Sequence, residues 1–559
     1  MLTITPKTTL ILICNLLLGA CPEDASNIEA PSSEKAAEIR ARHLRGSITP
    51  ERAWWDLQHY SLSIQFFPDK QTVKGSNVIS FNTRVSGNTM QIDLQKPLLI
   101  TKVVHQGRDL QFSVEGDVNW VHFEKPLAAG IEDSIEVFYE RTPTPSRKPP
   151  WSGGISWLRD DLGEHFITTT CQGIGASIFW PNKDHGYDEP DRGVDIRITV
   201  PEHLVAVCNG RLKSRSNDDE AETATYYWKV TNPINNYSVN VNIGNYVHFS
   251  DKYEGKAGLL TFDYWVLKHQ LEVAKKQFVE VPRTLAAFEH WFGPYPFYED
   301  GYKLVCVPYS GMEHQSSVTY GNWFRNGYRG KDVSNTGIGF KFDFIIIHES
   351  AHEWFGNNVS CKDTADMWIH ESFANYSESL FVEYHFSGKE AQDYIIGSRE
   401  KIRNDEPIIP EYNENAQPPG DMYYKGGNML HTIRQVINDD KKWRSILQGL
   451  NKTFRHQTVT TGQVENFITT QSGIDLSKVF DQYLRTNRIP MLKYRIDGNK
   501  LSYHYEDVVA KFNMPIRVMI NAKEIQLRPQ VTQQTLAFEE KIESIEVDRN
   551  FYIFSSRIK

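Results

Sequence analysis

The stretch that decides the expected fold is Phe344-Ile345-Ile346-Ile347-His348-Glu349-Ser350-Ala351-His352-Glu353-Trp354-Phe355-Gly356. Its apolar flanks predict a helix buried in a core. On such a helix His348 and His352 lie one turn apart on one face, so both imidazoles can reach one metal ion while Glu349 projects beside it. After eighteen intervening residues Glu371 follows, inside a second apolar helical stretch from Met367 to Phe381.

These residues match the ligand set of a catalytic zinc site. Such a site usually takes three protein ligands of nitrogen and oxygen type and leaves a fourth position for water. His348, His352 and Glu371 supply that set, and Glu349 is the candidate general base. The sequence therefore predicts one zinc ion per chain and metal-assisted hydrolysis. The alternative, a chance motif on a solvated helix, is disfavoured by the apolar flanks and by the spacing to the third ligand.

Two further motifs occur on either side of this stretch. Ser310-Gly311-Met312-Glu313-His314 precedes it, and Tyr423-Tyr424-Lys425-Gly426 follows it. Together with HESAHEWFGN these motifs resemble the gluzincin aminopeptidases, the family of aminopeptidase N and the leukotriene hydrolase. The similarity runs from about Thr169 to Pro490, which is more than half of the chain.

The resemblance implies roles for several residues outside the zinc motif. Tyr423 would stabilise the tetrahedral oxyanion, with Tyr424 as the alternative if the register is shifted by one. Glu313 would bind the free α-ammonium of a peptide, and Gln172 would help to hold the same amine. Gly311 and Met312 of the same motif would also contact the substrate. The chain departs from the family at His314, where the family has asparagine, and this change bears on the preference for the first side chain.

Two charged residues beside the ligands receive no catalytic role. Glu353 and His370 each directly neighbour a predicted ligand in the sequence. We interpret them as groups on a helix surface or as partners of the ligands.

Length and charge narrow the class of protein. A chain of 559 residues is too long for one core and predicts two to four domains. The formal net charge is -9, and the basic residues are scattered along the chain, so nucleic-acid binding is not expected.

The N-terminus predicts export. Lys7 precedes an apolar run, residues 10–18, that is too short for a stable transmembrane helix but suits a signal peptide. The run ends in Leu18-Gly19-Ala20-Cys21, which resembles a bacterial lipobox with Cys21 as the lipidated residue. Ordinary secretion with cleavage near Ala20 is the alternative. We expect a protein of the cell envelope, anchored to the membrane by lipid at its periplasmic or surface face, or else secreted, and not a cytoplasmic one.

Periodicity divides the rest of the chain. Residues 1–21 form the predicted signal peptide, and residues 22–47, which are polar and lack a sustained apolar face, predict a tether. Alternating apolar residues predict a β domain over residues 48–254, helical spacing dominates residues 255–490, and residues 491–559 return to short strands. The predicted class is multidomain α+β. The resemblance implies the same architecture, with a thermolysin-like zinc catalytic domain in the middle and a small C-terminal β domain, without the large C-terminal helical domain of longer members.

The four cysteines after Cys21 carry no predicted chemistry. Cys171, Cys208, Cys306 and Cys361 are widely spaced and lack a CxxC pair, so they do not indicate a zinc ribbon. Two disulfides of unknown pairing or four buried thiols both fit the sequence.

The predicted function is removal of N-terminal residues from peptides with a free N-terminus. Two alternatives remain open at this point: a zinc metalloendopeptidase, which does not need the amine-binding Glu313, and a non-catalytic surface protein that binds peptides. The sequence leaves the oligomeric state and the preferred first residue unspecified.

Overall fold

The computed structural model describes residues 33–559, so the predicted signal peptide and Cys21 lie outside the described residues. Of the described residues, 33–40 belong to one unit and 41–559 to another. Residues 33–46, which lie within the predicted tether, form a helix, α1. Alanine, glutamate, lysine and arginine dominate this helix, and they are residues of high helix propensity.

The N-terminal part of the larger unit is built of strands. Its core side chains alternate along the chain as the sequence predicts: Ile135, Val137 and Tyr139 are all buried on one strand. The elements are α2 (Pro50–Ala53), β1 (Trp55–Phe67), β2 (Thr72–Thr83), β3 (Gly87–Asp93), β4 (Leu99–His105), β5 (Arg108–Asp109), β6 (Gln111–Glu115), β7 (Val118–Leu127), β8 (Glu132–Arg141), β9 (Gly154–Arg159), β10 (His165–Thr170), β11 (Val194–Pro201), β12 (Val205–Cys208), β13 (Arg211–Asp218), β14 (Thr223–Val230) and β15 (Val241–Gly244).

Three sheets result. The largest has eight strands in the order β13-β14-β11-β1-β2-β8-β4-β5, a second has the order β12-β15-β10-β9, and a third the order β3-β7-β6. Strand β10 ends directly before Cys171 and Gln172, so the second sheet positions the predicted amine-binding glutamine.

The middle of the chain carries the helices and a five-stranded sheet in the order β16-β17-β18-β20-β19. The domain boundary predicted between residues 254 and 255 falls within the β16–β17 hairpin of this sheet. The elements are β16 (Tyr246–Gly255), β17 (Gly258–Leu267), α3 (Leu271–Gln277), α4 (Glu280–Phe292), β18 (Tyr302–Cys306), β19 (Gly311–Met312), β20 (Val318–Tyr320), α5 (Phe344–Ala351), β21 (Val359–Cys361), α6 (Trp368–His385), α7 (Gly388–Gly397), α8 (Tyr424–Ile437), α9 (Asp440–Thr453), β22 (Gln457–Val459), α10 (Thr461–Ser472) and α11 (Ser477–Arg485).

Helix α5 begins where the sequence supplies a cap. The side chain of Asp343 accepts hydrogen bonds from the backbone N–H groups of Ile345 and Ile346, which otherwise lack partners at a helix start. Every residue of α5 is buried, and α5 packs against α6, as the apolar flanks predict. Two core helices therefore bring the zinc motif and Glu371 together.

The C-terminal residues form two small sheets, β27-β24-β23-β29 and β26-β25-β28. Their strands are β23 (Met491–Asp497), β24 (Lys500–Glu506), β25 (Ile516–Ile520), β26 (Lys523–Leu527), β27 (Gln534–Ala537), β28 (Ile545–Val547) and β29 (Phe554–Arg557). The predicted multidomain α+β architecture is thus confirmed.

Two open questions from the sequence are answered for residues 33–559. Cys171, Cys208, Cys306 and Cys361 are all buried free thiols, so the two-disulfide alternative is not what the structure contains. Among the helices of this part of the chain, none combines the length and apolar character needed to cross a membrane.

Candidate active site

His348 of α5, His352 directly after α5 and Glu371 of α6 meet in the core. Oε2 of Glu371 lies 3.6 Å from Nε2 of His348 and 3.5 Å from Nε2 of His352. All three side chains are buried. The spacing of the motif, one helical turn and then eighteen residues, therefore produces the convergence that it predicts.

A further layer of contacts fixes how the imidazoles point. Nδ1 of His348 is 2.8 Å from Oε1 of Glu378, and Nδ1 of His352 is 3.0 Å from the backbone oxygen of Phe355. A ring nitrogen held in this way carries the proton, which leaves Nε2 with a lone pair for a metal. Glu378 is itself held by the Tyr394 hydroxyl, which donates to its Oε2 at 2.7 Å.

The ligand atoms fit a small cation. The nitrogen and oxygen atoms of His348, His352 and Glu371 all lie within 4.8 Å of one another. Among residues 33–559, Oε2 of Glu371 is buried without a hydrogen-bond donor, a costly arrangement unless another positive group approaches it. Two imidazoles and one carboxylate are the donor set that zinc accepts in open catalytic sites.

The buried charges shift one another's pKa. Burial raises the pKa of Glu349 to about 7, although His348 and His352 act against that rise. For Glu371 burial again favours the neutral form, but the two histidines outweigh it and hold the pKa of that carboxyl below its ordinary value. Glu371 therefore stays ionised as a ligand, whereas Glu349 is poised to exchange a proton near neutral pH.

The predicted amine-binding residues lie directly beside the metal ligands. Nε2 of Gln172 donates to Oε1 of Glu313 at 2.7 Å and to Oε1 of Glu371 at 3.0 Å. Glu313 is 2% exposed, and its backbone oxygen accepts a hydrogen bond from Nδ2 of Asn357 at 2.8 Å. A buried carboxylate thus lies beside the metal ligands, held at both its side chain and its backbone.

Gly311 has a packing role that the sequence did not reveal. A Cβ atom there would lie 2.6 Å from Cγ2 of Ile345 and 3.0 Å from Cγ of Glu349. Both contacts belong to α5, so glycine allows β19 to approach the helix of the zinc motif closely.

The two neighbouring tyrosines face different carboxylates. Tyr423 directly precedes α8, and its ring centroid is 6.1 Å from that of His348. Burial raises the pKa of Tyr423, and the next cause is the charge of Glu371. For Tyr424 the pKa is raised by burial and then by Glu378. Tyr423 is therefore the tyrosine next to the metal ligand.

All of the predicted site residues line one cavity of about 260 Å³. The nine predicted residues that line it are Gln172, Gly311, Met312, Glu313, His348, Glu349, His352, Glu371 and Tyr423. Other residues that line the cavity were not predicted as site residues, among them Trp151, Tyr328, Val333, Asn375 and Glu378. Asn375 and Glu378 had a sequence signal: they lie four and seven residues after Glu371, one and two helical turns along the same face.

Three residues that flank the motifs are buried, and none lines the cavity. Glu353 accepts hydrogen bonds from the Tyr295 hydroxyl at 2.8 Å and from the backbone N–H of Ser316 at 2.9 Å. His370 accepts one from the backbone N–H of Cys361 at 2.7 Å. The helix-surface interpretation of Glu353 and His370 is therefore wrong. His314, with a relative exposure of 0%, also lies away from the cavity wall.

Known proteins are similar to this chain in sequence and in fold. Residues 277–483 match the peptidase family M1 domain. The chain is 23% identical over 475 residues to a leucyl aminopeptidase of Saccharolobus solfataricus, which covers 81% of this chain and 58% of that protein. It is 21% identical over 507 residues to aminopeptidase N of Lactobacillus delbrueckii subsp. lactis, with 84% of this chain and 56% of that protein covered. The chain thus spans about half the length of the curated relatives that it matches.

The fold is similar to that of an M1 zinc metallopeptidase from Deinococcus radiodurans, with a TM-score of 0.65, 20% sequence identity, and coverage of 78% of this chain and 95% of that chain. A mutant of that metallopeptidase has also been solved bound to a Tyr-Ser-Ala substrate. The matched domain, the aminopeptidase relatives and the similar fold all support the resemblance of this chain to the gluzincin family of aminopeptidase N.

Proposed function

We propose that this protein is a zinc-dependent aminopeptidase that removes residues from the free N-termini of peptides. One observation carries the proposal: the buried carboxylate of Glu313 lines the cavity beside the metal ligands and shares Gln172 with Glu371. A substrate ammonium held by Glu313 would bring the first peptide bond, and no later one, to the candidate metal ligands. The aminopeptidase relatives and the peptide-bound structure of a similar metallopeptidase support the same activity.

The first step is the activation of water. A zinc ion held by His348, His352 and Glu371 would supply Lewis acidity, which lowers the pKa of a bound water to about 7 and polarises a carbonyl. Glu349 accepts the proton of the attacking water at its carboxylate, and the shifted pKa of this group suits that exchange. It can then return the proton to the leaving amine.

The developing oxyanion needs a donor that is already in place. The Tyr423 hydroxyl fills this role, because it lies beside Glu371 at the wall of the cavity and remains protonated when burial raises its pKa. A preorganised donor of this kind contributes mostly in the transition state, where the negative charge appears.

Recognition of the substrate amine separates this function from its nearest rival. A charge-assisted hydrogen bond from an ammonium to Glu313 favours substrates with a free N-terminus. An endopeptidase binds chain on both sides of the cleaved bond and has no need of a buried carboxylate that pairs with a free ammonium. A protein that only binds peptides would not need Glu349 or Tyr423.

The test compares aminoacyl amides with the same amides N-acetylated, using purified protein of known zinc content. Wild type should cleave the free amines and barely cleave the acetylated ones. Replacing Glu313 by Gln should lower kcat/KM on free amines by about 30-fold, because the charge that pairs with the ammonium is lost, while zinc stays bound. Glu272→Gln, an exposed glutamate on α3, is the matched control.

Two outcomes would overturn this proposal. Efficient cleavage of blocked peptides at internal bonds would replace it with the endopeptidase function. Binding of zinc and peptides without any turnover would leave a peptide-binding protein.

We also propose that the enzyme acts outside the cytoplasm, attached to the cell envelope through a lipidated Cys21. Support comes only from residues 10–21 of the sequence. Labelling cells with a fatty-acid analogue should mark wild type and leave Cys21→Ser unmarked. Absence of label in both would favour ordinary secretion.

A further inference from the structure

The amine-binding Gln172 lies in a turn with little rigidity of its own. The turn follows β10 and is closed by the N–H of Gly175, which donates to the oxygen of Cys171 at 2.8 Å. Gly173 has a φ of +75° and Gly175 a φ of +90°, values that glycine adopts readily. Because fixing a glycine costs more backbone entropy than fixing any other residue, we expect contacts from outside the turn to hold Gln172 in place.

One such contact comes from Arg45, near the end of α1 and within the unit of residues 41–559. Its Nη2 donates to the backbone oxygen of Ile174 in the turn and lies 3.5 Å from Oδ2 of Asp184. Nε2 of Gln95 donates to the same Ile174 oxygen at 2.8 Å. The Arg45 side chain is only 16% exposed, so its contacts with the turn are largely shielded from water.

Asp184 carries the influence of Arg45 to the residues after the turn. Its Oδ1 accepts a hydrogen bond from the N–H of Ala176 at 3.1 Å. Its Oδ2 accepts from the N–H of Ser177 at 3.3 Å and from the Ser177 hydroxyl at 2.5 Å. The guanidinium beside this carboxylate therefore stabilises the charge that holds the chain on the far side of Gln172.

The turn and the Arg45–Asp184 pair are matched in shape. A Cβ atom at Gly175 would lie 2.7 Å from Nη2 of Arg45, and it would also overlap Oδ2 of Asp184. Only glycine allows the pair to approach the backbone of the turn this closely.

A second route joins Arg45 to the residue directly after Gln172. When the Asn415 amide is oriented so that both of its polar atoms are hydrogen-bonded, its oxygen accepts from Nη2 of Arg45 at 3.1 Å. Its nitrogen then donates to the backbone oxygen of Gly173 at 3.1 Å. Arg45, Asn415 and Gly173 line a cavity of about 90 Å³, and Gln172 lines both this cavity and the active-site cavity.

We propose that Arg45 is a positioning residue for recognition of the substrate amine. It fixes the turn so that Nε2 of Gln172 reaches Glu313 and Glu371 together. Arg45 lies outside the active-site cavity and acts through Gln172. The inference rests on the proposed function for the identity of the ligand, a free α-ammonium. It gives the last residues of the predicted tether a part in the reaction.

Amine binding is measured apart from turnover, by calorimetry on zinc-loaded protein that carries Glu349→Gln to prevent cleavage. The ligand is leucinamide, and N-acetyl-leucinamide is the same molecule without the ammonium. Arg45→Ala and Gln172→Ala are introduced singly and together. Arg42→Ala is the matched control, because Arg42 lies one turn earlier on the same helix and pairs with Glu414 rather than with the turn.

We expect Arg45→Ala to raise the Kd of leucinamide about 10-fold and Arg42→Ala to change it less than about 2-fold. Gln172→Ala should raise the Kd at least as much as Arg45→Ala does. The double variant should bind leucinamide as Gln172→Ala does, because Arg45 has nothing left to position. A general loss of stability would instead add to the effect of Gln172→Ala.

Turnover gives a second measurement, with Glu349 intact. Arg45→Ala should raise KM on aminoacyl arylamides about 10-fold and leave kcat within about 2-fold, because the amine is held equally in the bound substrate and in the transition state. Zinc content should equal that of wild type. If Arg45→Ala does not fold, Arg45→Lys takes its place, since lysine keeps the charge beside Asp184 but reaches fewer acceptors.

Three results would overturn the inference: additive effects of the Arg45 and Gln172 substitutions, equal effects of Arg45→Ala and Arg42→Ala, or no binding of leucinamide by the Glu349→Gln parent. Wild type is assayed in parallel on the arylamides. Absence of that activity would refute the proposed function, whereas the Kd values would still decide whether Arg45 positions Gln172.

Discussion

The metal end and the amine end of the cavity are built in different ways. The metal end comes from two successive helices, and its three ligands lie within 24 residues of one another along the chain, from His348 to Glu371. The amine end joins Gln172, which follows a strand of the N-terminal part, to Glu313, which follows β19. These two residues are 141 positions apart, yet their side chains are 2.7 Å apart.

The metal end and the amine end therefore depend on different parts of the fold. The metal end is set by helical periodicity and needs only α5 and α6 to pack. The amine end forms only when the N-terminal sheet β12-β15-β10-β9 and the five-stranded sheet that contains β19 are both assembled. Gln172 also touches Glu371, so the two ends meet at one amide.

The largest expected effect comes from removing the residue on which both ends rely. Glu371→Ala deletes a ligand and an acceptor of Gln172. We expect zinc affinity to fall by more than the roughly 10–100-fold that loss of an outer partner costs, and activity to be lost with it. Zinc content after dialysis and kcat/KM measure the two effects. Zinc retention and activity like those of wild type would show that the cluster is not the metal site.

The zinc motif was predictable because its geometry is local. The apolar flanks, the spacing of four and the third ligand in an apolar helix all follow from one period, 3.6 residues per turn. Fold class was predictable for a related reason, since β alternation and helical spacing occupy separate parts of the chain. The sequence did not predict the helix over residues 33–46, because this segment lacks an apolar stripe. The helix forms from residues of high helix propensity instead.

The amine end was assigned only through family resemblance. Nothing in the residues around Gln172 or Glu313 indicates that they meet, because contacts over such sequence separations are set by tertiary packing. For Glu353 the sequence left a place on a helix surface and contact with the ligands both open, whereas the side chain is buried with Tyr295 as its partner.

A smaller effect is expected from the oxyanion donor, which lies at the metal end but binds no metal. Tyr423→Phe removes one hydroxyl and should lower kcat by about 100-fold to 1,000-fold while zinc content stays at one per chain. Tyr424→Phe is the matched control, since Tyr424 lines the same cavity but faces Glu378. A loss confined to Tyr424→Phe would shift the assignment by one residue.

The smallest effect separates the two ends most sharply. Glu378 contacts Nδ1 of His348, whereas Nδ1 of His352 contacts the backbone oxygen of Phe355. Replacing Glu378 by Gln keeps the shape and one acceptor but removes the charge that favours a basic imidazole. Zinc affinity should fall by about 10-fold, at the low end of what such partners contribute. With zinc in excess, the preference for free over acetylated amines should equal that of wild type, because Glu313 is untouched. A change in that preference would mean that the metal end and the amine end do not act separately.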